Sequence, residues 1–321
     1  MRAVSRPVIR ASEPMQAEVL FGINSIYTVL AGGRRLQCRI KGKKIKEAQR
    51  SYNPIAPGDL VEVTPDALSP NEGMITDVIP RRTWLVRWNK KGRAPQILAA
   101  NADIAICVTS PAAPPFRPRF IDRLIVAAET GGLTPLVVMN KSDLPCAAEV
   151  SERLSHYHRM GYQILSCSAR TGAGLDEFAA ILRGRTAVFV GQSGVGKSSL
   201  LNALAPGVDM RVGELSHKHD RGNHTTNFSI LLPLEKGLRI IDTPGIRELE
   251  LAEVLPEEVG FHFRDFAPYM QSCAYQPCLH DDEPQCAVMA AVEHGRIHFD
   301  RYESYLRILQ ELRETRKAAH G

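Results

Sequence analysis

No stretch of this 321-residue chain holds the roughly 20 consecutive apolar residues that a bilayer-spanning helix needs. The opening segment MRAVSRPVIRASEPM lacks the continuous apolar core of a secretory signal, so the expectation is a cytoplasmic protein with no membrane partner. Cysteine is sparse and odd in number, seven residues, which argues against a disulfide scaffold and for a reduced compartment. Internal repeats and low-complexity tracts are missing as well, which excludes a repeat architecture. What remains is a chain whose 44% hydrophobic content suffices for two or three cores, since ordinary domains hold about 100 to 200 residues.

Charge is unevenly spread. Residues 1–100 carry 17 Lys+Arg against 8 Asp+Glu, while the other residues are net acidic, 23 against 27. Such asymmetry fits a polyanionic partner on the N-terminal third, and equally a solvated basic face.

The texture changes along the chain. After a tail (1–18), residues 19–93 show short β-type runs broken by turns: YTVL, Gly32-Gly33, LQCRI, Pro57-Gly58-Asp59, LVEV and GMITDVI. Gly32-Gly33 sits between two alternating runs as a hairpin turn would, and an OB-like five-stranded barrel is expected. Over 97–258 apolar strand runs (IAICVT, PLVVM, YQILS, TAVFV) alternate with helical stretches, the pattern of an α/β domain with a mainly parallel sheet. Residues 259–321 bring aromatics, cysteines and a long amphipathic helix, hence a mostly α domain. The fold expected is therefore multidomain.

The chemistry is in the middle segment. Gly191-Gln192-Ser193-Gly194-Val195-Gly196-Lys197-Ser198 fits G-x4-G-K-[ST] and lies between a strand run and the helical run Ser199 onward, the context a phosphate loop requires. Its backbone N–H groups would wrap phosphates, Lys197 would reach the β and γ phosphates, and Ser198 would ligate Mg²⁺. Asp242-Thr243-Pro244-Gly245 follows another strand run, so Asp242 would hold Mg²⁺ through water and the Gly245 amide would sense the γ phosphate. Between them GNHTTN offers Thr225 and Thr226, either of which could supply a hydroxyl to Mg²⁺.

Which base is read follows from Asn140-Lys141-Ser142-Asp143, at the end of the run PLVVM. Asp143 can accept the N1 and N2 protons of guanine, which adenine does not offer. A second strand end, Ser166 to Ala169 with Ser168 and Ala169 at its tip, matches the backbone element that contacts the guanine oxygen. Together these motifs predict a P-loop GTPase binding GTP and GDP. Their order, guanine motif before phosphate loop, is a rotation of the usual one, which leaves the site in space unchanged. It also makes the switch at Asp242–Ile246 a tether to the C-terminal domain.

Cys273-x4-Cys278-x-His280-x5-Cys286 supplies three thiolates and an imidazole, a set suited to one closed, structural Zn²⁺, although free thiols would also be compatible with the spacing.

The permuted order, GQSGVGKSSLLNAL, the His-Thr-Thr triplet and the cysteine cluster together resemble the RsgA-type small-ribosomal-subunit biogenesis GTPases from about residue 19 onward. The resemblance implies an OB barrel, a circularly permuted GTPase domain and a zinc-binding C-terminal domain acting on the maturing small subunit and its rRNA. Where many GTPases carry a water-orienting Gln, this chain has Ile246, which cannot hydrogen-bond to water. The resemblance gives that catalytic role to His224, beside Lys197, Thr225 and Thr226, with a solvent-exposed loop histidine as the other reading. It also puts a basic residue where Asn223 stands here. A monomer with no DNA partner is expected, and turnover stimulated by the small subunit. The competing expectation is a GTP-regulated RNA-binding protein with another RNA client.

Overall fold

The computed structural model describes residues 13–42, 45, 51–205, 228–234, 237–246 and 248–320. Strands β1 (Met15–Ile23), β2 (Ile26–Ala31), β3 (Arg34–Ile40), β4 (Leu60–Pro65) and β5 (Glu72–Val78) close into a barrel in the order β1-β2-β3-β5-β4. All pairs are antiparallel except β3 with β5. Alternation along each strand sends Val19, Val29, Cys38, Val61, Val63 and Ile75 into a fully buried interior. Gly32 and Gly33, with φ of +55° and +80°, form the two-residue turn between β2 and β3, a backbone that side chains with a Cβ resist. Residues 15–18, which pattern alone leaves in the tail, are strand because they pair with Leu60–Val63, more than forty residues downstream. That partner is invisible to local periodicity.

Strands β6 (Trp84–Asn89) and β7 (Ala94–Ala100) form a separate antiparallel ribbon between barrel and central sheet, across the span that pattern divides between the two. The central sheet is built from β8 (Ile104–Thr109), β9 (Thr134–Met139), β10 (Gln163–Ser166), β11 (Thr186–Gly191), β12 (Ile230–Pro233) and β13 (Arg239–Asp242). Its order is β10-β9-β8-β11-β13-β12, parallel but for the antiparallel edge strand β12.

Both faces of this sheet are covered, which is why its strands read as unbroken apolar runs. On one face Ala105, Cys107, Val137, Val188 and Val190 pack with α1 (Pro118–Thr130); on the other Ile104, Ile106, Val108, Leu136 and Phe189 pack with α3 (Leu175–Leu182) and α4 (Lys197–Leu204). Helix α2 (Ala148–Arg159) runs from β9 toward β10.

The C-terminal part comprises a 3₁₀ turn (Val259–His262), α5 (Ala267–Met270), α6 (Ala287–Glu293) and α7 (Phe299–His320). Its Phe263, Phe266, Tyr305, Ile308, Leu309 and Leu312 share one apolar cluster with α1. A buried ionic knot lies at the same junction. Asp122 of α1 accepts from Tyr157 Oη at 2.5 Å, from Arg153 at 3.3 Å and from Arg301 of α7 at 2.5 Å, and Arg301 also reaches Asp265 at 3.4 Å. The C-terminal part is thus docked on the α/β domain by core and charge together. Among the described residues no helix is long and apolar enough to cross a membrane.

Candidate nucleotide and metal sites

The phosphate-loop segment leaves β11 at its C-terminal end and enters α4, so the first-turn amides of that helix face the loop. Gly194 and Gly196 have φ of +84° and +91°, and a Cβ on Gly196 would lie 2.4 Å from Asn140 Nδ2. Only glycine fits there. Lys197 is largely buried and donates to the Gly191 carbonyl at 2.8 Å; burial lowers its pKa, opposed by Asp242. Asp242 is pushed up to about 6 by burial, against the pull of Lys197, and its Oδ1 has no hydrogen-bond partner among the described residues. A buried ammonium whose hydrogen-bond partner among the described residues is a loop carbonyl, near a carboxylate with an unmatched oxygen, is a costly pair unless anionic and cationic ligands complete it. Ser198 and Ser199 are exposed at the start of α4. Thr243 Oγ1 donates to Phe189 O at 2.6 Å, and Ile246 N to Gly191 O at 3.3 Å, fastening the 242–246 segment beside the loop.

Asn140 joins three loops that are far apart in sequence. Its Nδ2 donates to Val195 O at 2.9 Å, while its Oδ1 accepts from Ala169 N at 3.1 Å. Lys141, with φ of +61°, donates to Ala113 O at 2.6 Å and Gly194 O at 2.7 Å. Asp143 is held by the Ser168 hydroxyl on one oxygen and by Arg170 on the other, Nε at 2.9 Å and Nη2 at 2.7 Å. The Ser168 bond first, and then Arg170, keep its carboxyl below the usual carboxylate range, so it is an ionised acceptor near neutrality. Asn140, Lys141, Asp143, Leu144, Ala169, Arg170, Gly196 and Ser199 line a cleft of about 430 Å³ at the strand ends, where open α/β sheets bind small ligands.

Arg170 and the Ser168 side chain were not evident as partners of Asp143 from sequence. Arg170 stands directly after the SCSA tip, and that adjacency was the available signal. His224, Thr225, Thr226 and Asn223 lie outside the described residues. Ile246 is buried in the core shared with α1, which accounts for an apolar residue at that position.

The second site is in the C-terminal part. Cys273, Cys278, His280 and Cys286 bring one ligand atom each within 4.8 Å of one another, a group that could hold a metal ion. His280 Nδ1 lies 3.6 Å from Cys273 Sγ and 3.4 Å from Cys286 Sγ, and the two sulfurs are 3.9 Å apart. Tetrahedral ligation with metal–sulfur bonds of about 2.3 Å puts sulfurs about 3.8 Å apart, so the donor set and its spacing fit such an ion. Tyr302 and Tyr305 donate to the carbonyls of His280 and Leu279, and Glu283 accepts from the Leu279 and Asp281 amides, so the ligand loop is braced on both sides.

Residues 78–252 match the RsgA GTPase family model. The small ribosomal subunit biogenesis GTPase RsgA of Borreliella burgdorferi (strain ZS7) is 36% identical over 308 residues, covering 95% of this chain and 99% of that protein. Among solved structures, YjeQ from Thermotoga maritima superposes with a TM-score of 0.71 at 32% identity, over 94% of this chain and 99% of that one. YloQ, described as a circularly permuted GTPase, gives a TM-score of 0.66 at 28% identity, over 97% of this chain and 98% of that one.

Proposed function

We propose that this chain, which belongs to the RsgA GTPase family, hydrolyses GTP to GDP and phosphate to time a late step of small ribosomal subunit maturation and its own release. The observation that carries the nucleotide reading is Asn140, which ties the guanine-type loop to the phosphate loop and to the Ser168–Ala169 turn around one cleft. The client is taken from the name of the Borreliella relative.

In this reading guanine sits on Asp143 beside Asn140, Lys141, Ser168 and Ala169. The phosphates lie over Gly191, Gln192, Ser193, Gly194, Val195, Gly196, Lys197, Ser198 and Ser199, with Gly245 at the γ phosphate. Ser198, Asp242 and Thr225 or Thr226 would hold Mg²⁺, which would supply charge neutralisation on the phosphates. His224 orients the attacking water in place of the missing Gln. Residues 19–93 touch rRNA, 97–258 hydrolyse GTP, and 259–321 are held by one structural zinc on Cys273, Cys278, His280 and Cys286.

Single-turnover hydrolysis with and without purified small subunits tests this. Lys197→Ala should lose at least ~100-fold in turnover under both conditions, because phosphate charge is left without its cation. His224→Ala should lose the stimulated rate while still binding GDP; a wild-type rate in the presence of subunits would remove that assignment. Cosedimentation with small subunits is required with a non-hydrolysable GTP analogue and not with GDP.

The metal is tested separately. One equivalent of zinc should co-purify, and a strong chelator should remove it and expose 259–321 to proteolysis, since ligands unpinned from the metal are three buried or half-buried thiols and a buried imidazole. A folded protein with substoichiometric metal would contradict the structural role.

A further inference from the structure

The segment leading out of the switch is gripped from two sides. On one, Trp88 N donates to Glu250 O at 2.9 Å, and Lys90 forms an ion pair with Glu250. On the other, Arg123 of α1 donates from Nη1 to Leu249 O at 3.4 Å. The same guanidinium binds both carboxylate oxygens of Glu311 on α7, at 2.9 Å and 2.6 Å. Ile246, Leu249 and Leu251 are buried in the cluster that also holds Leu124, Ile308, Leu309 and Leu312. Arg123 is therefore a three-way junction between α1, the backbone after the switch and the C-terminal helix.

The upstream end of this segment meets the phosphate loop. Gly191 O accepts from both Lys197 Nζ, at 2.8 Å, and Ile246 N, at 3.3 Å. Phosphate oxygens would compete with that carbonyl for the Lys197 ammonium, and the carbonyl would be left to Ile246 N alone. Ile246 and Leu249 are buried in one cluster, and a close-packed core transmits small shifts between its members.

We infer that Arg123 is a positioning residue for the switch, passing the state of the phosphate loop through the Leu249 carbonyl to Glu311 and α7. This rests on the nucleotide-site reading above. A guanidinium suits the task, since one rigid fork of donors serves the Glu311 carboxylate and the Leu249 carbonyl together, as the point charge of a lysine would not. Pure strapping of α1 to α7 would need only the Glu311 pair; the bond to a main-chain carbonyl next to the switch is what gives the pair a message.

Hydrogen exchange on the full-length, metal-loaded protein tests it. Amides of Ile308–Leu312 in α7 should exchange at rates differing by at least about fivefold between GDP and a non-hydrolysable GTP analogue. Arg123→Gln should abolish this difference while leaving the nucleotide response of Gly191–Ser198 intact. The swap R123E/E311R restores the ion pair but presents an acceptor to the Leu249 carbonyl. It should recover the melting temperature lost in Arg123→Gln without recovering the α7 response. A wild-type response confined to the phosphate loop, or a swap that restores both readouts, overturns the inference. No response anywhere would instead sink the nucleotide-site reading.

Discussion

Asp143→Asn is expected to turn a guanine nucleotide site into a xanthine nucleotide site. The carboxylate is ionised and fixed by Ser168 and Arg170, so it offers acceptors only. Guanine meets it with two donors, the N1 proton and the 2-amino group. Asparagine keeps one acceptor but substitutes a donor for the other, which then faces the 2-amino group without a partner. Xanthine has a carbonyl at that position and pairs with the new amide. A site built on such bonds rejects the wrong base strongly, because a buried polar group is left unsatisfied. The affinity for GTP should fall by at least about 10³-fold and XTP should become the preferred triphosphate. Competition binding with GDP, GTP, XDP and XTP reads this directly. Unchanged GTP affinity, or loss of GTP with no gain for XTP, would show that the cleft lined by Asn140, Asp143 and Ala169 does not hold the base.

Much of the candidate site was legible because phosphate-loop and guanine-type motifs impose spacing on contiguous residues. Gly191–Ser198 and Asn140–Asp143 each sit at the end of an apolar strand run, and β11 and β9 end at Gly191 and Met139. The strands themselves read well for a related reason: a sheet covered on both faces leaves continuous apolar runs such as IAICVT, which became β8. Elements fixed by distant partners were not legible. Residues 15–18 depend on β4, and the antiparallel edge β12, four residues long, carries no pattern of its own. Likewise Arg170, one exposed arginine among 40 Lys+Arg, gains meaning only when the turn brings it onto Asp143. The ionic knot is the extreme case, since Asp122 meets Arg153 31 positions away and Arg301 179 positions away.

That knot carries the largest expected effect on stability. Asp122 and Arg301 are wholly buried, and the guanidinium of Arg301 also lies 4.2 Å from the Phe263 ring centre. Burial opposes the charge on Arg301, but Asp122 and Asp265 more than offset it and hold the guanidinium above its usual range. Two acids and two arginines, Asp122, Asp265, Arg153 and Arg301, balance each other in a largely buried place. Removing one member leaves a net charge in the core, at a cost of about 3–5 kcal/mol. Asp122→Leu strands Arg301 and Arg153, and Arg301→Met strands Asp122 and Asp265, so each single variant should lower the denaturant midpoint sharply. The double variant D122L/R301M removes one charge of each sign, so Arg153 and Asp265 lose their ion-pair partners but the core stays electrically balanced. A balanced core costs less than a net buried charge. It should therefore be more stable than either single variant, whereas strictly additive losses would mean that the two side chains act through packing and not through charge. The knot joins α1 and α2 to α7, so the singles should also free α7 for proteolysis at denaturant concentrations that leave GDP bound to the α/β domain. Loss of nucleotide and of α7 docking in one cooperative step would instead make the C-terminal helix an inseparable part of the GTPase core.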